Sequence, residues 1–316
     1  MRDARVRGSI NESVADGQRA SGRANSSMPI IVVKCGGNMS VATDLVCADI
    51  AELVARGQRI VVAHGGSGDV DRLAARMQVP RRTLRAPDGV VTRHTDAAML
   101  EIVTLALAGA SKPRLVTSLA KRGVAAVGLT GLDGALLQAR RKAPLRAVMN
   151  DRIVVVRDNY GGKVTAVNTQ LLLLLLGAGF VPVVSPPALA ADGTALNVDA
   201  DRAAAAVASA LGASSLVFLT AARGVLRVAG EERSRLDVCR IPGAGSPPSY
   251  ARAGMALKLV GAREALRGGV IQVIIADGRV EQPLQRALQG EGTRVELDEA
   301  VNSVGADEHQ QDVVAS

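Results

Sequence analysis

Two segments of this 316-residue chain end in groups suited to holding negative charge. They are Ile31-Val32-Val33-Lys34-Cys35-Gly36-Gly37-Asn38 and Ile60-Val61-Val62-Ala63-His64-Gly65-Gly66-Ser67-Gly68. Each couples a β-branched run, which reads as a buried strand, to a cluster of glycines. Glycines at such a strand end leave backbone N–H groups bare, and bare N–H groups cradle phosphates and developing oxyanions. Lys34 sits between strand and glycines, where its ammonium can follow the same charge. Two such units on neighbouring strands point to phosphoryl transfer. His64 reads as a structural histidine with its hydrogen bonds met, and Cys35 as core.

Several other chemistries are excluded or left without support. No G-x-x-x-x-G-K-[ST] occurs, since Gly162-Lys163 is followed by Val164, and G-x-G-x-x-G is absent. Neither a P-loop NTPase nor a nicotinamide-dependent dehydrogenase is therefore indicated. Three cysteines (Cys35, Cys47, Cys239) at unrelated spacings give no disulfide framework, and with three histidines no metal site built from protein ligands is expected. Net charge is +8, unevenly spread: residues 1–28 carry five Arg against three acids, whereas residues 297–316 carry five acids and no Lys or Arg. Residues 112–163 hold eleven Lys and Arg against three Asp, centred on Arg140-Arg141-Lys142, which suggests a docking surface for something acidic. Nucleic acid is not the expected partner, because with two Phe, two Tyr and no Trp the stacking residues are nearly missing. No apolar run approaches the length of a membrane span, and a cytoplasmic protein is expected.

The elements that must position these groups alternate. Helices are expected over 42–56, 69–77, 95–108 (with Thr95 as N-cap), 168–177, 201–211 and 253–268. Strands are expected at both glycine units and over 125–129, 181–185, 215–219 and 270–275, with an antiparallel hairpin over 140–157 turning at Asn150-Asp151. Alternation of this kind implies an α/β fold: a mainly parallel sheet covered by helices on both faces. The expected organisation is a disordered extension over 1–27, a lobe over 28–190, a second lobe over 191–296, and a disordered acidic tail over 297–316. Asp133, between two glycines, reads as turn chemistry.

Three further segments complete a set: Arg93-His94-Thr95-Asp96, Leu196-Asn197-Val198-Asp199-Ala200-Asp201 and Gly254-Met255-Ala256-Leu257-Lys258. With the two glycine units, in this order, the chain resembles the amino acid kinase family. The likeness is to its acetylglutamate kinase branch, above all to the kinases acting on 2-aminoadipate or glutamate attached to an amino-group carrier protein. It runs from about Met28 to Glu296. The resemblance implies an open αβα sandwich, with acyl-acceptor binding and dimerisation in the first lobe and ATP binding in the second. It implies that Lys34 and Lys258 flank the transferring phosphoryl and that Asp201 holds both lysines. It also implies that Gly36, Gly37, Gly65 and Gly66 donate N–H groups to phosphoryl and carboxylate. Arg93 would clamp a substrate carboxylate, and Asn197 would meet the acylated amine. Thr220 and Gly224 would contact ATP, and Mg²⁺ would ride on ATP oxygens. Asp201 has a plain alternative as a helix cap.

Two departures stand out from the family pattern. Leu219-Thr220-Ala221-Ala222-Arg223-Gly224 lacks an Asp or Asn after Thr220, and Ser111-Lys112-Pro113 replaces an Asn-Lys pair. The expected reaction is phosphorylation of a side-chain carboxylate on a carrier-linked acidic amino acid. The expected partners are an acidic carrier docking on 112–163 and a second copy of the chain. The alternatives are a kinase of free N-acetylglutamate and a non-catalytic nucleotide-binding regulator of the same fold.

Overall fold

A computed structural model of the protein describes residues 28–36, 43–85, 91–149, 152–251 and 253–298. The expected extension over 1–27, the Asn150-Asp151 turn and Gly37 lie outside the described residues. In chain order the elements are β1 (Ile30–Cys35), α1 (Thr43–Ala55), β2 (Arg59–His64), α2 (Ser67–Arg76), β3 (Thr83–Arg85), β4 (Val91–Arg93), α3 (Ala97–Ala106), α4 (Lys112–Ala120) and β5 (Ala126–Gly131). They continue with β6 (Leu137–Arg141), β7 (Leu145–Met149), β8 (Arg152–Val156), β9 (Gly162–Val167), α5 (Thr169–Gly177), β10 (Val181–Leu189) and β11 (Ala195–Leu196). The remainder comprises α6 (Ala200–Ala210), β12 (Ser215–Thr220), β13 (Val238–Pro242), α7 (Ala253–Arg267), β14 (Gln272–Asp277), α8 (Pro283–Leu288) and β15 (Thr293–Asp298).

Every residue of β1 is buried. Its β-branched side chains suit a strand covered on both faces, as parallel sheets require. β1 pairs in parallel with β2 on one side and with β12 on the other. These strands belong to an eleven-stranded sheet in the order β13-β15-β14-β12-β1-β2-β10-β6-β9, with β5 and β11 also bonded to β10. Antiparallel pairing within it joins β14 to β15, β6 to β9 and β10 to β11.

Alternation along β1 divides its side chains between two cores. Ile30 and Val32 join Val61, Ala204 and Phe218 on the face covered by α6 and α7, while Ile31, Val33 and Cys35 join Ile50, Val62, Leu119 and Ile274 on the other. α6 can lie close to the sheet because Ala203, Ala204, Ala205 and Ala208 give it a buried face without bulk. On the opposite face α1 is tied to α8 by one carboxylate: Asp49 accepts from the backbone N–H of Leu284 and Gln285, capping α8 from the other half of the chain.

The structure corrects several expectations. β10 runs on through Pro186 and Pro187 to Leu189, past the expected end of the strand at 185. Pro182 pairs with Val127, which it can do because the missing donor is tolerated near a strand start. α3 is capped by Asp96, whose carboxylate accepts from Met99 N–H at 2.9 Å, and not by Thr95. α4 was not expected; a π-turn over Leu107–Ser111 joins it to α3, so the apolar spacing slips out of register. Leu297 and Asp298 belong to β15 and pair with Ile241 and Pro242, not to a disordered tail. Asp133 behaves as expected, its carboxylate accepting from both the N–H and the hydroxyl of Thr130. Among the described residues no helix is long and apolar enough to cross a membrane.

Candidate active site

Lys34 occupies the next-to-last position of β1, and alternation turns it toward α6. Its side chain is buried, and its Nζ lies 2.5 Å from Asp201 Oδ1. The other oxygen of the same carboxylate, Oδ2, accepts from Lys258 Nζ at 3.2 Å. Thus residues 34, 201 and 258, carried on β1, α6 and α7, meet at one buried point.

Local chemistry explains why Asp201 is free to do this. The cap of α6 is Asp199, whose Oδ1 accepts from the N–H groups of Asp201 and Arg202, both at 3.0 Å. The two carboxylates of the Asn197-Val198-Asp199-Ala200-Asp201 segment therefore divide the labour, and the plain alternative for Asp201 passes to its neighbour. Lys258 reaches across because α7 packs close on α6 at Gly261, one turn further on. A Cβ there would stand 3.3 Å or less from the Asp201 carbonyl group. Gly261 is thus required by the approach of the two helices.

The charges are coupled. Burial opposes ionisation of Asp201, yet the ammonium groups of Lys34 and Lys258 outweigh it and hold the carboxyl below its usual range. Burial first, and then the Asp201 charge, push Asp199 upward. Lys258 is lowered by burial and by the facing Lys34 ammonium. Two cations thus share the Asp201 carboxylate at the C-terminal edge of the sheet, with the Asp199 carboxyl beside them.

The glycines divide. Gly65 packs on the N-terminus of α6, a Cβ there standing 3.3 Å from Ala200 Cβ, and its N–H makes a long 3.5 Å contact with Cys35 O. Gly66 opens α2 and lies against Ser111 and Leu107, with no space for a side chain. Gly36 departs from the expectation: its N–H donates to Leu219 O at 3.1 Å, extending the ladder between β1 and β12 and withdrawing that donor. Thr220 follows at the end of β12 on the same edge. Gly224 is not brought to the lysines; it is packed against Thr293 and the stem of Arg235.

Arg93 ends β4, on a hairpin beyond the sheet, and its guanidinium is held at 2.7 Å by Asp71 of α2. Asn197 is tied to the same region through Thr95, whose hydroxyl accepts from its Nδ2 at 3.0 Å. Thr95 also accepts from Tyr160 N–H at 2.7 Å, and Asn159 accepts from Thr95 N–H. Asn197 therefore keeps its side-chain carbonyl available as an acceptor. Sequence reasoning missed Asp71 and Thr95. Thr95 lay within a segment singled out for its arginine, but nothing in the local pattern pointed to Asp71.

A mainly parallel sheet whose C-terminal edge gathers two ammonium groups on one buried carboxylate defines a protein built to hold and neutralise phosphoryl charge. The chain belongs to the amino acid kinase family, whose profile matches residues 29–277. It is 42% identical over 272 residues to the [LysW]-aminoadipate kinase of Thermus thermophilus, covering 84% of this chain and 100% of that one. It is 41% identical over 266 residues to the protein of the same name from Deinococcus radiodurans, covering 84% and 91%. An acetylglutamate kinase from Symbiobacterium thermophilum is 36% identical over 275 residues, covering 84% and 90%. Among solved structures, the carbamate kinase of Giardia superposes with a TM-score of 0.60 at 15% identity over 86% of this chain and 100% of that one, a likeness of fold.

Proposed function

We propose that this protein transfers the γ-phosphoryl group of ATP to the side-chain carboxylate of 2-aminoadipate or glutamate whose amino group is linked to a small acidic carrier protein, in the cytosol and as a homodimer. The observation that carries the reading is the pair Lys34 and Lys258 on the two oxygens of Asp201. A loose phosphoryl-transfer transition state spreads charge over equatorial oxygens, so positioned cations and N–H donors supply most of what catalysis requires. Asp201 acts through the lysines, fixing both ammonium groups before substrate arrives. The attacking carboxylate is ionised near pH 7 and needs no general base. Arg93 meets a substrate carboxylate on exchanging Asp71 for it, a match of fork to two oxygens. Asn197 offers its carbonyl to the amide N–H of the acylated amine. Among the described residues no group of three or more His, Cys, Asp or Glu gathers as a metal site, so Mg²⁺ would travel on nucleotide oxygens, neutralising their charge.

The carrier-linked acceptor is favoured by the [LysW]-aminoadipate kinase relatives and by exposed Arg140, Arg141, Lys142, Arg157 and Lys163. Lys112, counted at first in that basic segment, is buried and contributes nothing to a docking face. The test is hydroxamate trapping of acyl phosphate with ATP and either carrier-linked or free N-acetylated acceptor. Turnover with the carrier-linked form supports the proposal; ordinary efficiency on free N-acetylglutamate overturns the choice of acceptor, and binding of ATP without acyl phosphate from either overturns the enzyme reading.

A further inference from the structure

His64 does not fit its expected part as a histidine with both nitrogens met. Its Nδ1 lies 3.0 Å from Gly65 O, but Nε2 is buried without a partner among the described residues. A second unpartnered buried atom is close by in the sheet. β10 pairs with β2 at Val183 to Val62 and Val184 to Ala63, so the next position along each strand is Ser185 and His64. Val62 and Val183 face α1 and α4, while Ala63 and Val184 face α6, so alternation turns His64 and Ser185 together to the α1 and α4 side. Ser185 Oγ also lacks a partner. The two residues are 2% and 1% exposed, so water outside the protein does not answer either group.

The third member comes from α4. Lys112 lays its stem over Gly128, where a Cβ would come within 2.9 Å of its Cγ and Cδ, and Gly128 pairs with Val183 on the same face of the sheet. Lys112 is buried as a residue, with Asp133 as the nearby countercharge. Burial, with the Lys112, Lys34 and Arg114 cations adding to it against the Gly65 hydrogen bond, pushes His64 down to about 4. The imidazole is therefore neutral at pH 7. Since Gly65 O can only accept, the proton resides on Nδ1 and leaves Nε2 an acceptor, with Ser185 at the neighbouring strand position and the Lys112 charge acting on the ring. His64 also borders a cavity of about 30 Å³, room for a single water, which it shares with Gly65, Asp69, Ser111 and Arg114 rather than with Ser185 or Lys112.

We propose that Lys112, Ser185 and His64 form a buried positioning relay that sets the peptide between Gly65 and Gly66. The donors, through one bridging water, hold His64 in its Nδ1–H form. Nδ1–H in turn anchors the Gly65 carbonyl toward α4. In a planar trans peptide the carbonyl and the following N–H point opposite ways, so this anchoring directs Gly66 N–H to the side where Lys34 lies. The relay accounts for the lysine on a buried helix face that otherwise consists of Leu115, Ser118 and Leu119. The inference rests on the proposed phosphoryl transfer for its kinetic consequence, but not for its chemistry.

Two measurements on the full chain test it. With three histidines in the sequence, long-range ¹⁵N–¹H correlation can assign the tautomer of each ring. A neutral Nδ1–H imidazole at position 64 is expected, and an Nε2–H or doubly protonated ring overturns the relay. For kinetics, His64→Asn keeps a donor near the Nδ1 position and should hold kcat within about threefold, whereas His64→Ala should lower kcat roughly tenfold with the KM for ATP within twofold. Lys112→Met and Ser185→Ala should each lower kcat in the native background and add nothing to His64→Ala. Equal losses in both backgrounds, or a His64→Asn loss as large as that of His64→Ala, overturn it. Ser185→Ala removes a single oxygen and serves if Lys112→Met does not fold. An unmodified protein that makes no acyl phosphate overturns the proposed function, while the ring tautomer still decides the relay.

Discussion

The two ends of the candidate site are built differently. At the proposed phosphoryl end three elements of the sheet core bring two cations onto one carboxylate, with Lys34 and Asp201 buried and Lys258 mostly so. At the acceptor end Arg93 stands on a short hairpin beyond the sheet, held by a partly exposed Asp71, and Asn197 is steadied through Thr95 by the 159–160 segment. One end is dry and fixed; the other is half wet and carried on loops. The difference matches the demands on each. Charge on a migrating phosphoryl group is the same whatever the acceptor, so its cradle can sit in rigid core. Under the proposed function, recognition of the acceptor has to admit a bulky linked carrier, which suits a region where connections can change without disturbing the sheet.

The largest effect should come from Asp201→Asn. It removes the carboxylate that bridges the Lys34 and Lys258 ammonium groups and leaves them facing each other, a loss of about 3–5 kcal/mol in stability. Acyl-phosphate formation should fall roughly 10²–10³-fold. The pH dependence is diagnostic. Asp201 is lowered in the folded state, so its contribution is present above the unfolded carboxylate value near ~3.9 and is lost as pH falls through the folded value. Denaturation midpoints of the native protein should therefore drop more steeply than those of Asp201→Asn as pH falls below about 4; parallel curves would break the contrast between the two ends.

At the other end Arg93→Ala should raise the acceptor KM roughly 10- to 100-fold with a smaller change in kcat. If it lowers kcat more than Asp201→Asn does, the division into a fixed and an adaptable end fails. A smaller effect is expected on carrier docking. Arg140→Glu with Arg141→Glu should raise the carrier KM by roughly tenfold at low salt, leave the ATP KM unchanged, and flatten the fall in rate with added salt. The smallest is Asp96→Ala, which removes the cap of α3 and should lower stability by about 1 kcal/mol with activity within twofold, read from thermal melting and the same trapping assay.

What the sequence disclosed follows the same division. β1, β2 and their glycines were legible because buried parallel strands are written as continuous β-branched runs. Lys34, Asp201 and Lys258 were reached by motif order, and no periodicity could have joined residues so far apart. The choice between Asp199 and Asp201 as cap was not legible, because both sit within two residues of the helix start and either carboxylate can accept from its N–H groups. α4 was hidden by the π-turn before it and by its charged ends. Lys112 in particular looked like a surface cation, since a lysine that buries its stem over a glycine leaves no mark in local composition. β15 alternates Arg294, Glu296 and Asp298 with less polar residues, and the edge strand β13 is short and carries Arg240, so the strand pattern is diluted in both.

The place of β1 in the sheet has a consequence for how the molecule is made. Its neighbour β2 follows within thirty residues, but its other neighbour, β12, begins only at Ser215. Until that stretch has left the ribosome, the strand bearing Lys34 presents a bare apolar edge of unpaired amides. Folding of this chain is thereby governed by one long-range pairing, slow by nature and exposed to sticking while it waits. A fragment ending before Ser215 should collect in inclusion bodies, whereas the whole polypeptide closes that edge with its own later strand.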